Sequence, residues 1–275
     1  MTIDQFGYQG QRVLVVGGAT GMGAAAAKTA GALGAEVTVM DFAAVDFDVA
    51  AAVKLDLQDR AAIDAALDGL AGRFDAVFSA AGIAGGDGVM RVNFIAHRHM
   101  IEQMIERRRL GPGSAVCMIS SIAGLGWQQN LPQVLDFLST TTYEDADQWV
   151  AEHDGTNTYT FSKQAMNAYV AAQSFPFMGK GVRINAICPG PTDTPLAQAN
   201  SWFGFSEGYR TATGAEVLQP EQMGNCMVFL NSRAASGVSG VNLLVDCGQI
   251  MSSIAGSYEP GKPVIDFLMA AQDMP

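Results

Sequence analysis

The feature that most restricts the fold is an alternation, kept up along most of the 275 residues, of short apolar runs with amphipathic stretches at helical spacing. Arg12–Val16, Glu36–Met40, Ala52–Leu55, Asp75–Ser79, Ser114–Ser120, Val182–Cys188 and Asn242–Asp246 read as strands. Met22–Leu33, Asp59–Gly72, Val89–Arg109, Thr158–Met178 and Pro220–Asn231 read as helices; Ile63, Leu67 and Leu70 show the spacing within the second. Short apolar runs between helices belong to parallel strands buried on both faces. The pattern therefore predicts an α/β fold, a doubly wound parallel sheet. No internal repeat or linker divides the chain, so one domain, residues 1–275, is expected. The helix Val89–Arg109 is predicted to end in three arginines, at the negative end of its dipole, and Gly111-Pro112-Gly113 to stop it.

Two segments break the rhythm. Leu125–Asn157 is long for a strand-to-helix connection and is read as an insert with short helices at Leu131–Leu138 and Tyr143–Glu152. Pro191–Gly214 is a second excursion. Long ordered loops of this kind are commonly lids or binding loops. The formal net charge is −11, which argues against a nucleic-acid groove and against docking on an anionic membrane. Met1–Gly10 lacks the layout of a secretory signal, and no apolar run is long enough for a membrane helix. Cys117, Cys188, Cys226 and Cys247 form no CxxC, and three lie in or beside apolar runs. Buried thiols and a cytoplasmic location are expected. His97, His99 and His153 lack ligand spacing, so no metal is expected.

After the first strand comes Gly17-Gly18-Ala19-Thr20-Gly21-Met22-Gly23. Gly17, Gly21 and Gly23 would let the backbone approach a pyrophosphate resting on the next helix's N-terminus, which makes the predicted sheet Rossmann-like. Asp41 follows 18 residues after Gly23. A carboxylate there can accept hydrogen bonds from ribose hydroxyls and would repel a 2′-phosphate. No Lys or Arg lies in the loop or flanks Asp41, so NAD (NAD+/NADH) is favoured over NADP(H).

Tyr159 and Lys163 are four apart on a predicted helix and share a face. An ammonium beside a phenol favours the phenolate, so Lys163 is expected to lower the Tyr159 pKa. Ser120 and Ser121 end the fifth strand, where a parallel sheet opens its ligand crevice. The ordered set of the glycine loop, Ser79-Ala80-Ala81-Gly82, Asn93, Ser120-Ser121, Tyr159-x-x-x-Lys163 and Pro189-Gly190-Pro191-Thr192-Asp193-Thr194 resembles the short-chain dehydrogenase/reductase family along nearly the whole chain.

The resemblance implies a general acid/base at Tyr159 and a nicotinamide-ribose contact at Lys163. It implies substrate orientation by Ser121 and support from Asn93 for a water-linked proton relay. Cofactor contacts would come from Gly17, Thr20, Gly21, Met22, Gly23, Asp41, Asp56, Leu57, Ala81, Gly82, Tyr159, Lys163, Pro189, Gly190, Thr192 and Thr194. The family's usual Asn-Asn-Ala-Gly is Ser79-Ala80-Ala81-Gly82 here. From Ser121 to Tyr159 are 38 residues, where the family commonly has about a dozen. That insert resembles the subgroup containing 3α-hydroxysteroid dehydrogenase/carbonyl reductase and coniferyl-alcohol dehydrogenase, and is where substrate choice is expected to lie.

Trp127, Trp202 and Phe203 sit in irregular segments and are expected to line an apolar pocket for a hydrophobic alcohol or ketone, steroid-like or aryl. A redox-sensing regulator on the same fold is the alternative; it would not need Ser121, Tyr159 and Lys163. A Rossmann-like methyltransferase would share only the glycine loop. The resemblance implies a homo-oligomer, tetramer or dimer. The partly apolar tail from Gln249 to Pro275 is expected to cover a neighbour or the chain's own site.

Overall fold

The computed structural model describes residues 4–269; the first residues of the Met1–Gly10 stretch and the last of the tail lie outside them. Seven strands form one sheet: β1 (Arg12–Val16), β2 (Glu36–Asp41), β3 (Ala51–Lys54), β4 (Ala76–Ser79), β5 (Ala115–Ile119), β6 (Arg183–Pro189) and β7 (Asn242–Val245). All pairs are parallel, in the order β3-β2-β1-β4-β5-β6-β7. The chain changes direction across the sheet between β1 and β4, and the crevice of such a sheet opens at the carboxyl ends beside that switch.

Side chains alternate between two cores, as the two-residue strand period requires. Leu14, Val16, Val116 and Met118 face one, while Val13, Val15, Cys117 and Ile119 face the other. The second core is covered by α1 (Gly21–Ala32) and α9 (Pro220–Asn231). Gly224 of α9 lets the two helices touch: a Cβ there would lie 2.8 Å from the backbone of Ala25 and Ala26. The first core is covered by α2 (Arg60–Gly69), α3 (Ala96–Glu106) and α6 (Tyr159–Met178).

The insert contains α4 (Leu131–Leu138) and α5 (Tyr143–Glu152) at the predicted positions. Val134, Phe137, Tyr143, Ala146, Trp149 and Val150 are all buried in the first core. The second excursion contains α7 (Pro195–Ala199) and α8 (Gly204–Thr213), and the tail contains α10 (Gln249–Ile254) and α11 (Lys262–Met269).

The predicted helix Val89–Arg109 is not one regular helix. Arg91–Ile95 is a π turn, and α3 begins only at Ala96. The three arginines lie beyond the end of α3, so they do not meet its dipole from within the last turn. Arg107 pairs with Asp68 at 2.6 Å, Arg108 takes a left-handed backbone, and Arg109 donates to the Leu70 carbonyl. They fasten the end of α2 instead. α2 stops at Gly69 rather than Gly72, because Gly72 adopts φ +65 and Arg12 and Arg109 take up the carbonyls of the 70–73 turn.

Candidate active site

The glycine loop joins β1 to α1 at the switch point. Gly17 has φ +83, and a Cβ on it would sit 2.2 Å from the Ala81 nitrogen; one on Gly23 would sit 2.0 Å from the Gly17 oxygen. These positions need glycine for close packing of loop, helix and the strand-end segment 80–82. The N-terminus of α1 has no side-chain cap from Thr20 and no acid in its first turn. α2, α5, α6 and α7, by contrast, are capped by Asp59, Thr142, Thr158 and Thr194. Unclaimed N–H groups and the positive end of a helix dipole fit an anion.

A cavity of about 410 Å³ runs from this loop along the strand ends, lined by Gly17, Thr20, Gly21, Met22, Gly23, Asp41, Asp56 and Leu57 among others. It adjoins a second cavity of about 510 Å³. Met22, Ala80, Ala81, Gly82, Thr194 and Leu196 line both. The pair forms an extended groove with a glycine-loop end and a Tyr159 end, and its donors and carboxylates suit a dinucleotide. Asp41 also steadies the loop: its carboxylate accepts from the Ala19 nitrogen at 2.8 Å and the Ala43 nitrogen at 2.9 Å. Lys54 pairs with Asp41 in the β2–β3 register, and its ammonium lies 5.6 Å from the Phe42 ring centre. Local sequence around Asp41 did not show this cation, because it arrives from the neighbouring strand.

Ser121, Tyr159 and Lys163 line the second cavity together, with Pro189, Gly190 and Thr192. The Ser121 hydroxyl caps a short 3-10 turn by accepting from the Ala123 nitrogen at 3.1 Å. Lys163 is buried, and its ammonium donates to the Ile119 carbonyl at 2.8 Å and lies 5.4 Å from the Tyr159 ring centre. Burial pushes the Tyr159 phenol up to about 12, against a downward pull from the Ser121 hydroxyl. Burial also brings Lys163 down to about 8. The expected lowering of the Tyr159 pKa by Lys163 is therefore not what the protein alone produces: removal from water raises it, and weakens the Lys163 ammonium as well.

Asn93 lies in the π turn, fully buried. Its Oδ1 accepts from the Ile83 nitrogen at 2.8 Å; its Nδ2 donates to the Ile83 carbonyl at 3.0 Å and to Ser162 Oγ at 3.2 Å. Both amide protons are thus committed, and the side chain has no donor left for a water. One turn on, buried His97 is held by Nε2 at 3.0 Å from the Ala81 carbonyl. Since a carbonyl only accepts, that nitrogen carries the proton. Ser79, where the family has asparagine, keeps a buried hydroxyl without a partner.

The expected aromatic pocket is only partly as predicted. Trp202 lines the second cavity, its ring centre 5.1 Å from that of Tyr159. Trp127 packs against the first core and Phe203 starts α8; neither lines the cavity. Phe205 does, together with Pro263, Val264, Phe267 and Leu268 of α11. No residue of the insert lines either cavity. The expectation that the insert decides the substrate is overturned, because its apolar residues are consumed by the core. The tail instead covers the chain's own site: Gly126, at φ +80, lets the Leu268 carbonyl approach where a Cβ would stand 2.4 Å away.

All four cysteines are free thiols; Cys117 and Cys188 are buried, Cys226 is half-buried and Cys247 exposed. Among the described residues no three His, Cys, Asp or Glu side chains converge as a metal site would require, and no helix is long and apolar enough to cross a membrane.

The family model described as enoyl-(acyl carrier protein) reductase matches residues 139–249. Coniferyl-alcohol dehydrogenase of Pseudomonas sp. (strain HR199 / DSM 7063) is 25% identical over 249 residues, 86% of this chain and 96% of that protein. The 3-alpha-hydroxysteroid dehydrogenase/carbonyl reductase of Comamonas testosteroni is 27% identical over 246 residues, covering 86% and 95%. The chain is thus similar, over most of its length, to these dehydrogenases of the short-chain dehydrogenase/reductase type. The crystal structure of the 3-alpha-hydroxysteroid dehydrogenase from Pseudomonas sp. B-0831, solved with NADH, shares the fold of this chain with a TM-score of 0.70. The two are 24% identical, over 90% of this chain and 99% of that one.

Proposed function

We propose that the protein transfers a hydride between NAD(H) and a bulky hydrophobic alcohol or ketone, steroid-like or aryl. The observation that carries this reading is the meeting of Ser121, Tyr159 and Lys163 on one wall of a cavity whose other walls include Trp202, Phe205 and Phe267. A nicotinamide in the groove supplies the carbon that accepts or gives the hydride. Ser121 Oγ holds the substrate oxygen. Tyr159 Oη takes the hydroxyl proton on oxidation and returns it on reduction. Lys163, fixed by the Ile119 carbonyl, contacts the nicotinamide ribose and stabilises the phenolate. Asn93 supports the proton path by fixing the Ile83 segment rather than by offering a donor of its own.

Thr20, Gly21 and Met22 would offer backbone N–H groups to a pyrophosphate, with Thr192 and Thr194 as further contacts. Asp56 and Leu57 would hold the adenine and Asp41 the adenosine ribose, where its charge would disfavour a 2′-phosphate. A non-catalytic redox sensor would have no use for the buried Lys163 beside Tyr159. Free thiols suit a reducing cytoplasm. Exposed Phe175 and Met178, and the exposed stacked pair Phe6–Phe229, offer apolar surface for a homo-oligomer.

The test is a panel of alcohols and ketones with NAD(H) and NADP(H), read at the nicotinamide absorbance for the natural chain and for Tyr159→Phe. Turnover of hydrophobic substrates with NAD(H) is expected, reduced at least about 100-fold in Tyr159→Phe with NADH still bound. Turnover of small polar alcohols alone, an NADP(H) preference, or normal activity in Tyr159→Phe would each contradict the corresponding part.

A further inference from the structure

No residue of the insert lines the Tyr159 cavity, yet the polar anchors of α5 and of Asn157 reach towards the other end of the groove. Asp147 of α5 holds Arg91 through both carboxylate oxygens, at 2.5 and 2.7 Å. Tyr143 donates its hydroxyl to the Leu57 carbonyl at 3.3 Å, and Glu144 pairs with Arg60 at 2.7 Å. Just past α5, Asn157 accepts from the Met90 nitrogen at 3.3 Å and donates to the Asp87 carbonyl at 3.0 Å. Apolar contacts follow the same route: the Phe137 ring lies 5.5 Å from Phe94 of the π turn and 5.7 Å from Phe161 of α6.

Arg91 opens the π turn, a helical form that is rare because its hydrogen bonding is strained relative to an α-helix. The next two residues serve the glycine-loop cavity. Val92 lines it directly, and Asn93 clasps both backbone groups of Ile83, which lines it too. Leu57, held by Tyr143, lines the same cavity. A bidentate guanidinium–carboxylate pair fixes orientation as well as distance.

We propose that the insert is a brace for the cofactor half of the groove, with Asp147 acting through Arg91 and Tyr143 acting through Leu57 as positioning residues for dinucleotide affinity. This inference rests on reading the groove as a nicotinamide dinucleotide site. Neither side chain lines the substrate cavity, so the brace acts on cofactor binding and leaves substrate KM alone.

The experiment is NADH titration by nucleotide fluorescence for the natural chain, Asp147→Asn, Asp147→Glu and Tyr143→Phe, with kcat and substrate KM measured at saturating cofactor. Asp147→Asn should weaken NADH about tenfold, the loss of roughly 1.4 kcal/mol of held geometry. Tyr143→Phe, which removes one hydroxyl from an otherwise intact ring, should weaken it about threefold. Asp147→Glu keeps the carboxylate and should stay within about twofold of the natural chain. Substrate KM at saturating cofactor should stay within about twofold throughout, whereas general loosening would move it too. Equal NADH affinity in all four proteins, or a rise in substrate KM as large as the loss of affinity, would overturn the brace alone. Failure of the natural chain to bind NADH would overturn the cofactor reading and the brace with it.

Discussion

At the scale of single residues, identity and protonation parted company. Tyr159, Lys163, Ser121 and the glycines were legible because their chemistry depends on fixed spacings along one helix or one turn. Their electrostatics were not, since desolvation is set by the walls of the cavity and those come from distant segments. His97 is the sharpest case. Its sequence neighbourhood shows only a polar residue on a helix, but it is buried, and that burial holds its pKa down at about 4 against an upward pull from the Ala81 carbonyl. Between pH 6.5 and 4 the unfolded chain binds a proton that the folded chain refuses. The His97 contribution to stability is therefore complete above the unfolded pKa and is lost on acidification, by about 3 kcal/mol once both states are protonated. Urea midpoints measured down this range should fall more steeply for the natural chain than for His97→Gln. Parallel curves would show that His97 accepts its proton in the folded state without penalty.

At the scale of elements, β1, α4, α5 and α9 were placed residue for residue by apolar periodicity and their end signals. The π turn was not legible: one extra residue per turn leaves the apolar positions of Val89 to Ile101 compatible with an ordinary helix. Nor was the destination of the insert, since whether a ring such as Trp149 packs in a core or lines a pocket depends on the elements placed around it. The tail helix was visible only as a partly apolar stretch. Its Phe267 and Leu268 line the same cavity as Ser121 and Tyr159. A chain ended after Gly261 should bind NADH as before, with KM for bulky ketones raised at least about tenfold, roughly the worth of one buried apolar side chain. Unchanged KM across a substrate series would remove α11 from the recognition of substrate.

At the scale of the whole molecule, the parallel sheet and its layering followed from the alternation itself, because short apolar runs between helices are strands buried on both faces. Assembly does not follow from a single chain's pattern, since it depends on which apolar side chains remain outside. Phe175, 88% exposed at the far end of α6, is the largest such remainder. Sedimentation equilibrium should give at least twice the chain mass of 28.9 kDa, and a monomer across micromolar concentrations would remove the oligomer from the proposal. The apolar cavity wall supplied by residues 202–205 and 263–268, clear of the coenzyme contacts, carries one more consequence. Those stretches include none of the anchors through which α5 reaches the glycine-loop end. For re-engineering, the molecule is a chassis with two exchangeable cassettes, whose selectivity can be rewritten without retuning the grip on the coenzyme.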